Sequence, residues 1–153
     1  MSDYQAVVKW QRQADEPFSD NRYSRAHVWQ FDGGVEVPAS ASPQVVALPY
    51  SVAENVDPEE ALVAALSSCH MLTFLSIAAK KQYVIDGYID EALGVMSQDE
   101  QGRFWVSKVT LRPQIRFADD RAPTEAQLEK MHHIAHENCF IANSVKTEIV
   151  IES

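Results

Sequence analysis

Cysteine is scarce in this chain: Cys69 and Cys139 are the only two among 153 residues. That excludes a disulfide scaffold, and a chain of this length buries enough surface to hold one domain without staples. Basic residues are also few. Thirteen Lys and Arg stand against 22 Asp and Glu, a net charge of -9, and they are scattered, so neither a nucleic-acid footprint nor a patch for an anionic membrane surface is present. No internal repeat or low-complexity tract is visible. The opening MSDYQAVVKWQRQADEP holds no apolar segment ahead of a small-residue cleavage site, so a cytoplasmic location is expected.

Only one long apolar run exists, Asp57 to Lys81. Asp57 suits the N-cap, Pro58 the first helical position, and Glu60 can return a capping-box bond, so a helix start is well marked. At roughly 1.5 Å per residue the helix would span about 36 Å. Its apolar residues lie on every face, which predicts burial all round. Although ~20 apolar residues can cross a bilayer, Ser67, Ser68, His70, Thr73 and Ser76 in the middle argue against a membrane span.

Strands are expected at Ala6–Trp10 and Tyr23–Phe31, with Asp32-Gly33-Gly34 as a turn and Val35–Val37 returning. Pro38 to Asn55, with three of the seven prolines, reads as a loop. After the helix, Tyr83–Met96 is β-like, with Gly87 and Gly94 as bulges or points of close approach. Phe104–Phe117 is a strand in which Pro113 marks an edge or bulge. Thr124 opens a second helix with Gln127 as its capping partner, ending near Asn138, and Val145–Ile151 closes the chain as a strand. The order β-β-β, long helix, β-β, helix, β is α+β, in one domain over residues 1–153. A helix apolar on all sides asks for a second wall, which a partner subunit would supply.

Cys69 lies about eleven residues into the long helix, away from the N-terminal dipole that activates many thiols. A nearby cation is therefore required if it reacts, and arginine, always charged and forked, is the natural choice. Cys139 sits just past the second helix, in HENCFIANS. The packed, inert cysteine is the alternative for each. His132 and His136 share a helical face with Cys139 close by, but the spacing lacks the further ligands or the HExxH frame of a zinc site, and solvated helix histidines are expected instead. His70 points about 100° away from Cys69 around the helix.

DPEEALVAALSSC, followed some seventy residues later by NCFIANS, resembles the OsmC/Ohr family of thiol peroxidases, and the resemblance extends from the YSRAHVWQFDGG hairpin to the last strand. It implies an OsmC-like fold: a long buried central helix and a second helix wrapped by antiparallel sheets in an intertwined homodimer. It further implies reduction of organic hydroperoxides, and possible use of hydrogen peroxide, with no metal or organic cofactor. Cys69 matches the cysteine that attacks the O–O bond and becomes a sulfenic acid. Cys139 matches the one that condenses with it to a disulfide, which an external dithiol such as a lipoylated protein then reduces. Glu59 matches the glutamate that holds the activating arginine. Ten helical residues, roughly 15 Å, separate Glu59 from Cys69, so the two could meet only across an antiparallel dimer.

Two departures from the pattern stand out. FDGGVEVPASASPQ contains no arginine, which leaves Arg25, and after it Arg22, as substitutes. Phe140 rather than proline follows the second cysteine. The missing loop arginine favours a second reading, a non-enzymatic dimer of the same fold that binds an apolar small molecule or a thiol compound.

Overall fold

The apolar run forms one helix, α1 (Pro58–Lys80), and both of its ends are fixed by local chemistry. The Asp57 amide donates to Glu60 Oε1 at 2.9 Å and the Glu60 amide to Asp57 Oδ1 at 2.8 Å, a reciprocal cap that satisfies two otherwise free donors. At the other end Gln82 turns left-handed at φ 62°. The amides of Gln82 and Tyr83 then return to the carbonyls of Ala79 and Ala78, closing the helix in a Schellman motif.

The computed structural model describes residues 1–118 and 120–153. They divide into two units, Met1–Ala61 and Leu62–Ser153, with the division inside the first turn of α1.

The N-terminal unit is an antiparallel meander of β1 (Ala6–Lys9), β2 (His27–Phe31) and β3 (Glu36–Ala39). Sequence alternation predicts β2 from Tyr23, but it starts at His27. The preceding residues bond elsewhere: the Arg25 amide donates to Tyr50 O at 2.8 Å, and the Ser24 amide donates to Glu16 Oε1. β3 continues through Pro38, which an edge strand tolerates. The expected loop after it is pinned by buried hydroxyls, with Ser51 Oγ donating to Val46 O at 2.6 Å and Ser40 Oγ accepting from the Val52 amide at 2.9 Å. β1 is exposed at every position.

In the C-terminal unit each long predicted strand is in fact two. Tyr83–Met96 becomes β4 (Ile85–Asp90) and β5 (Leu93–Gln98), and Phe104–Phe117 becomes β6 (Phe104–Leu111) and β7 (Pro113–Phe117). The break has a physical cause. Pro113 has no amide to give, and the Arg112 amide donates to Asp90 Oδ1 at 2.6 Å in place of a ladder bond. The ribbon therefore changes sheets at this point, with β4 pairing β7 and β5 pairing β6. The closing strand β8 (Glu148–Ile151) lies parallel to β6, so this sheet is mixed, where antiparallel sheets were expected. Between the sheets in sequence comes α2 (Glu125–Asn138), whose Thr124/Gln127 capping box forms as predicted.

Gly87 lies at a register shift, and Gly94 is a close approach: a methyl group there would sit 2.6 Å from Val63 Cγ2 of α1. Two apolar clusters line α1. Phe74 and Ala78 pack with Met131 and Ala135 of α2, and Leu66 packs with Val109 and Leu111 of β6. Only the stripe Leu66, His70, Phe74 and Ala78 of α1 is fully buried by the chain itself. Ala64, Ala65, Ser68, Leu72, Ser76 and Ala79 are exposed.

Candidate active site

The two cysteines meet. Cys69 lies along α1 between Leu66 of one apolar cluster and Phe74 of the other, and is partly exposed. Cys139 caps the C-terminus of α2 and is 1% exposed. Both are free thiols in hydrogen-bonding contact through their side chains. Burial, with the bond to Cys69 adding to it, pushes the Cys139 thiol up to about 11, against the opposing pull of the Ala142 and Ile141 amides. The Ala142 amide lies 3.4 Å from Cys139 Sγ, at the start of a short 3-10 turn, Ala142–Ser144, that holds the sulfur from behind. Cys139 thus keeps its proton at neutral pH. Phe140, next after Cys139, is 80% exposed, and its carbonyl accepts from Ser144 Oγ at 2.7 Å.

Below this contact the junction is polar. His70 Nε2 lies 3.0 Å from His132 Nδ1, the two rings nearly parallel at 10°, and His132 also stacks on Phe74 with centroids 4.4 Å apart. His132 is therefore not a solvated helix histidine, contrary to expectation: it is 3% exposed. His133 does face solvent, beside Glu137 at 3.3 Å. Burial first, then His132 and His136, hold His70 down at about 4 despite Asp90, and burial lowers His132 to about 4 as well. Asp90 accepts from Ser67 Oγ. Four buried polar atoms, His70 Nδ1, Tyr88 Oη, His132 Nε2 and His136 Nδ1, have no partner among the described residues. No group of three or more His, Cys, Asp or Glu among the described residues is arranged to hold a metal ion.

The other two predicted residues belong to the N-terminal unit. Arg25 gives its guanidinium to its own neighbourhood, donating to Asn21 O at 2.9 Å, to Asn21 Oδ1 at 2.8 Å and to Tyr23 O, with its carbon 3.6 Å from the centre of the Tyr23 ring. Beside it Trp10, Phe18, Tyr23, His27 and Pro58 wall a cavity of about 470 Å³. His27 is spent on orientation: Nδ1 lies 2.7 Å from Arg25 O and Nε2 accepts from Trp29 Nε1 at 3.1 Å. Glu59, in the first turn of α1, has no ion pair within the chain among the described residues.

Residues 52–153 match the family described as OsmC-like protein. The chain belongs to the OsmC-like family. An OsmC-like protein of unknown function from Vibrio cholerae is 60% identical to it, with 99% of each chain covered and a TM-score of 0.97. Two more distant OsmC-fold structures share the fold. An organic hydroperoxide resistance protein from Elizabethkingia anophelis is 16% identical with a TM-score of 0.71, covering 99% of this chain and 93% of its own. The organic hydroperoxide resistance protein OhrB of Bacillus subtilis is 17% identical with a TM-score of 0.70, covering 99% and 97%. A search of curated proteins finds no match. The OsmC-like architecture brings Cys69 and Cys139 together from positions seventy residues apart, which the spacing alone does not dictate. The histidine pair escaped sequence reasoning. Its signal was there: His70 continues the i, i+4 stripe Leu66-His70-Phe74-Ala78, and His132 adjoins Met131 and Ala135 on the apolar side of α2.

Proposed function

We propose that this protein is a cysteine-based peroxidase that reduces organic hydroperoxides. The observation that carries the reading is the contact between the partly exposed Cys69 and the buried, protonated Cys139. The Cys69 thiolate attacks the terminal peroxide oxygen. The O–O bond breaks, the alkoxide takes up a proton and leaves as an alcohol, and Cys69 becomes a sulfenic acid. Cys139 sulfur then attacks Cys69 sulfur, its proton leaving with the hydroxyl as water, and a Cys69–Cys139 disulfide forms. An external dithiol, a lipoylated protein being one suitable class, donates two electrons and is itself oxidised to a disulfide.

Arg25 is the cation assigned to Cys69, and the apolar cavity beside it suits the hydrocarbon part of a hydroperoxide. Glu59 of the partner subunit is assigned to orient the arginine in a homodimer. Support for a second copy comes from the exposed side of α1, where Leu72 is 61% exposed, and from β1, which is bare along its length. α1 is long and apolar enough to cross a membrane, yet it carries the buried stripe of a core helix, which supports a soluble protein working in the cytoplasm as one OsmC-like domain over residues 1–153.

Consumption of cumene hydroperoxide with dithiothreitol or a dihydrolipoyl reductant tests the proposal. Wild type should turn over, Cys69→Ser should not, and one equivalent of peroxide should remove two thiols together. Peroxide consumption independent of Cys69 defeats it. The aromatic walls of the cavity and the arginine-free loop favour a second reading, a non-enzymatic dimer that binds an apolar small molecule or thiol compound. Saturable binding without Cys69-dependent turnover would select that one.

A further inference from the structure

Besides the thiol contact, a buried polar bond between side chains joins α1 and α2, His70 to His132. His70 directly follows Cys69 on α1, and His132 lies seven residues, about two turns, before Cys139 on α2. Their 3.0 Å contact is 1% and 3% exposed at its two ends. Around it stand Phe74, stacked on His132, and the orphaned atoms of His136 and Tyr88. A polar pair inside an apolar junction lowers stability relative to well-packed apolar side chains unless its geometry is kept, so it fixes the relative position of what it joins.

We propose that the His70–His132 pair is a positioning device for disulfide formation: it holds the end of α2 against α1 so that Cys139 stays in range of Cys69. The pair acts at a distance. Neither ring touches the reacting sulfurs in this role, and neither is needed for the attack of Cys69 on peroxide. The catalytic context rests on the peroxidase reading, but the positioning itself does not. Forming the Cys69–Cys139 bond requires the sulfurs to close from hydrogen-bonding contact to bonding distance, about 2.05 Å, with a restricted dihedral angle. A shift of about 1 Å in the end of α2 can therefore cost orders of magnitude in rate.

Leucine and asparagine have nearly the same shape, but only asparagine places a polar atom where His132 has Nδ1. Likewise, at position 70 glutamine reaches the Nε2 position and asparagine does not. The test measures Cys69–Cys139 disulfide formation by alkylation and mass spectrometry after one equivalent of cumene hydroperoxide and, separately, after diamide, an oxidant that needs no peroxidase chemistry. Sulfenic acid at Cys69 is trapped with dimedone in the peroxide arm. His132→Leu and His70→Asn should slow the disulfide about tenfold or more in both arms. Sulfenic acid should form at the wild-type rate and persist. His132→Asn and His70→Gln should restore the disulfide rate to near wild type. Should His132→Leu fail to fold, the asparagine and glutamine variants at position 70 decide the matter alone. Equal disulfide rates in the broken and conserved variants overturn the proposal. If wild type ignores peroxide while diamide still separates the variants, the peroxidase reading fails and the positioning role stands.

Discussion

His70 Nε2 lies 3.0 Å from His132 Nδ1, within hydrogen-bonding distance. Both rings are held at about 4, where an ordinary histidine titrates at 6.5. Between those values the unfolded chain binds more protons than the folded one, so the contribution is complete above about pH 6.5 and is lost as pH falls toward 4. Charging both rings would also set N–H against N–H. His136 adds to the downward pressure on His70, Tyr88 packs near the pair, and Asp90 opposes the shift without reversing it. Urea unfolding should show stability falling across this window, on the order of 3 kcal/mol for one histidine. His132→Asn should flatten the profile. A wild-type profile already flat from pH 6.5 to 4.5 would rule this out.

Gly94 on β5 touches α1 at Val63, and an added methyl would sit 2.6 Å from Val63 Cγ2. Valine is stiff at χ1, so the strand or the helix must move. Gly94→Ala should destabilise the protein by about 1–3 kcal/mol. Chemical denaturation measures this, and a neutral result would mean that β5 and α1 do not pack so closely.

Leu72 stands on the face of α1 that the chain leaves bare. In the proposed homodimer this face would meet the partner, so Leu72→Arg should place a charge in an apolar interface and shift the protein to monomer. Light scattering on the wild type and the variant gives the masses. A monomeric wild type removes the dimer, and with it the assignment of Glu59.

Arg25 already spends much of its fork on Asn21 and Tyr23. Lysine keeps the charge but not the fork, so under the proposed assignment Arg25→Lys should lower peroxide turnover about tenfold or more. Unchanged kinetics in Arg25→Ala would release Arg25 from the site.

Much of this protein was legible as local chemistry. The caps of both helices, the breaks marked by Pro113 and Gly87, and the close approach at Gly94 follow from what Asp57, Thr124, proline and glycine can do within a few residues of chain. Family membership was legible as well, because DPEE and the two cysteines stand at fixed offsets. Only the tertiary structure decided the rest. Asp90 takes the Arg112 amide and splits two long strands into four, a bond between residues that no periodicity links. β8 joins β6 in parallel because the chain returns along the sheet edge, and strand alternation carries no sign of direction. His132 looked like one of several helix-surface histidines until α1 placed His70 opposite it. The contact of Cys69 with Cys139 likewise depends on α1 and α2 packing against each other. Caps and turns are settled by neighbours in sequence, whereas partners in a core are settled by which surfaces exclude water together.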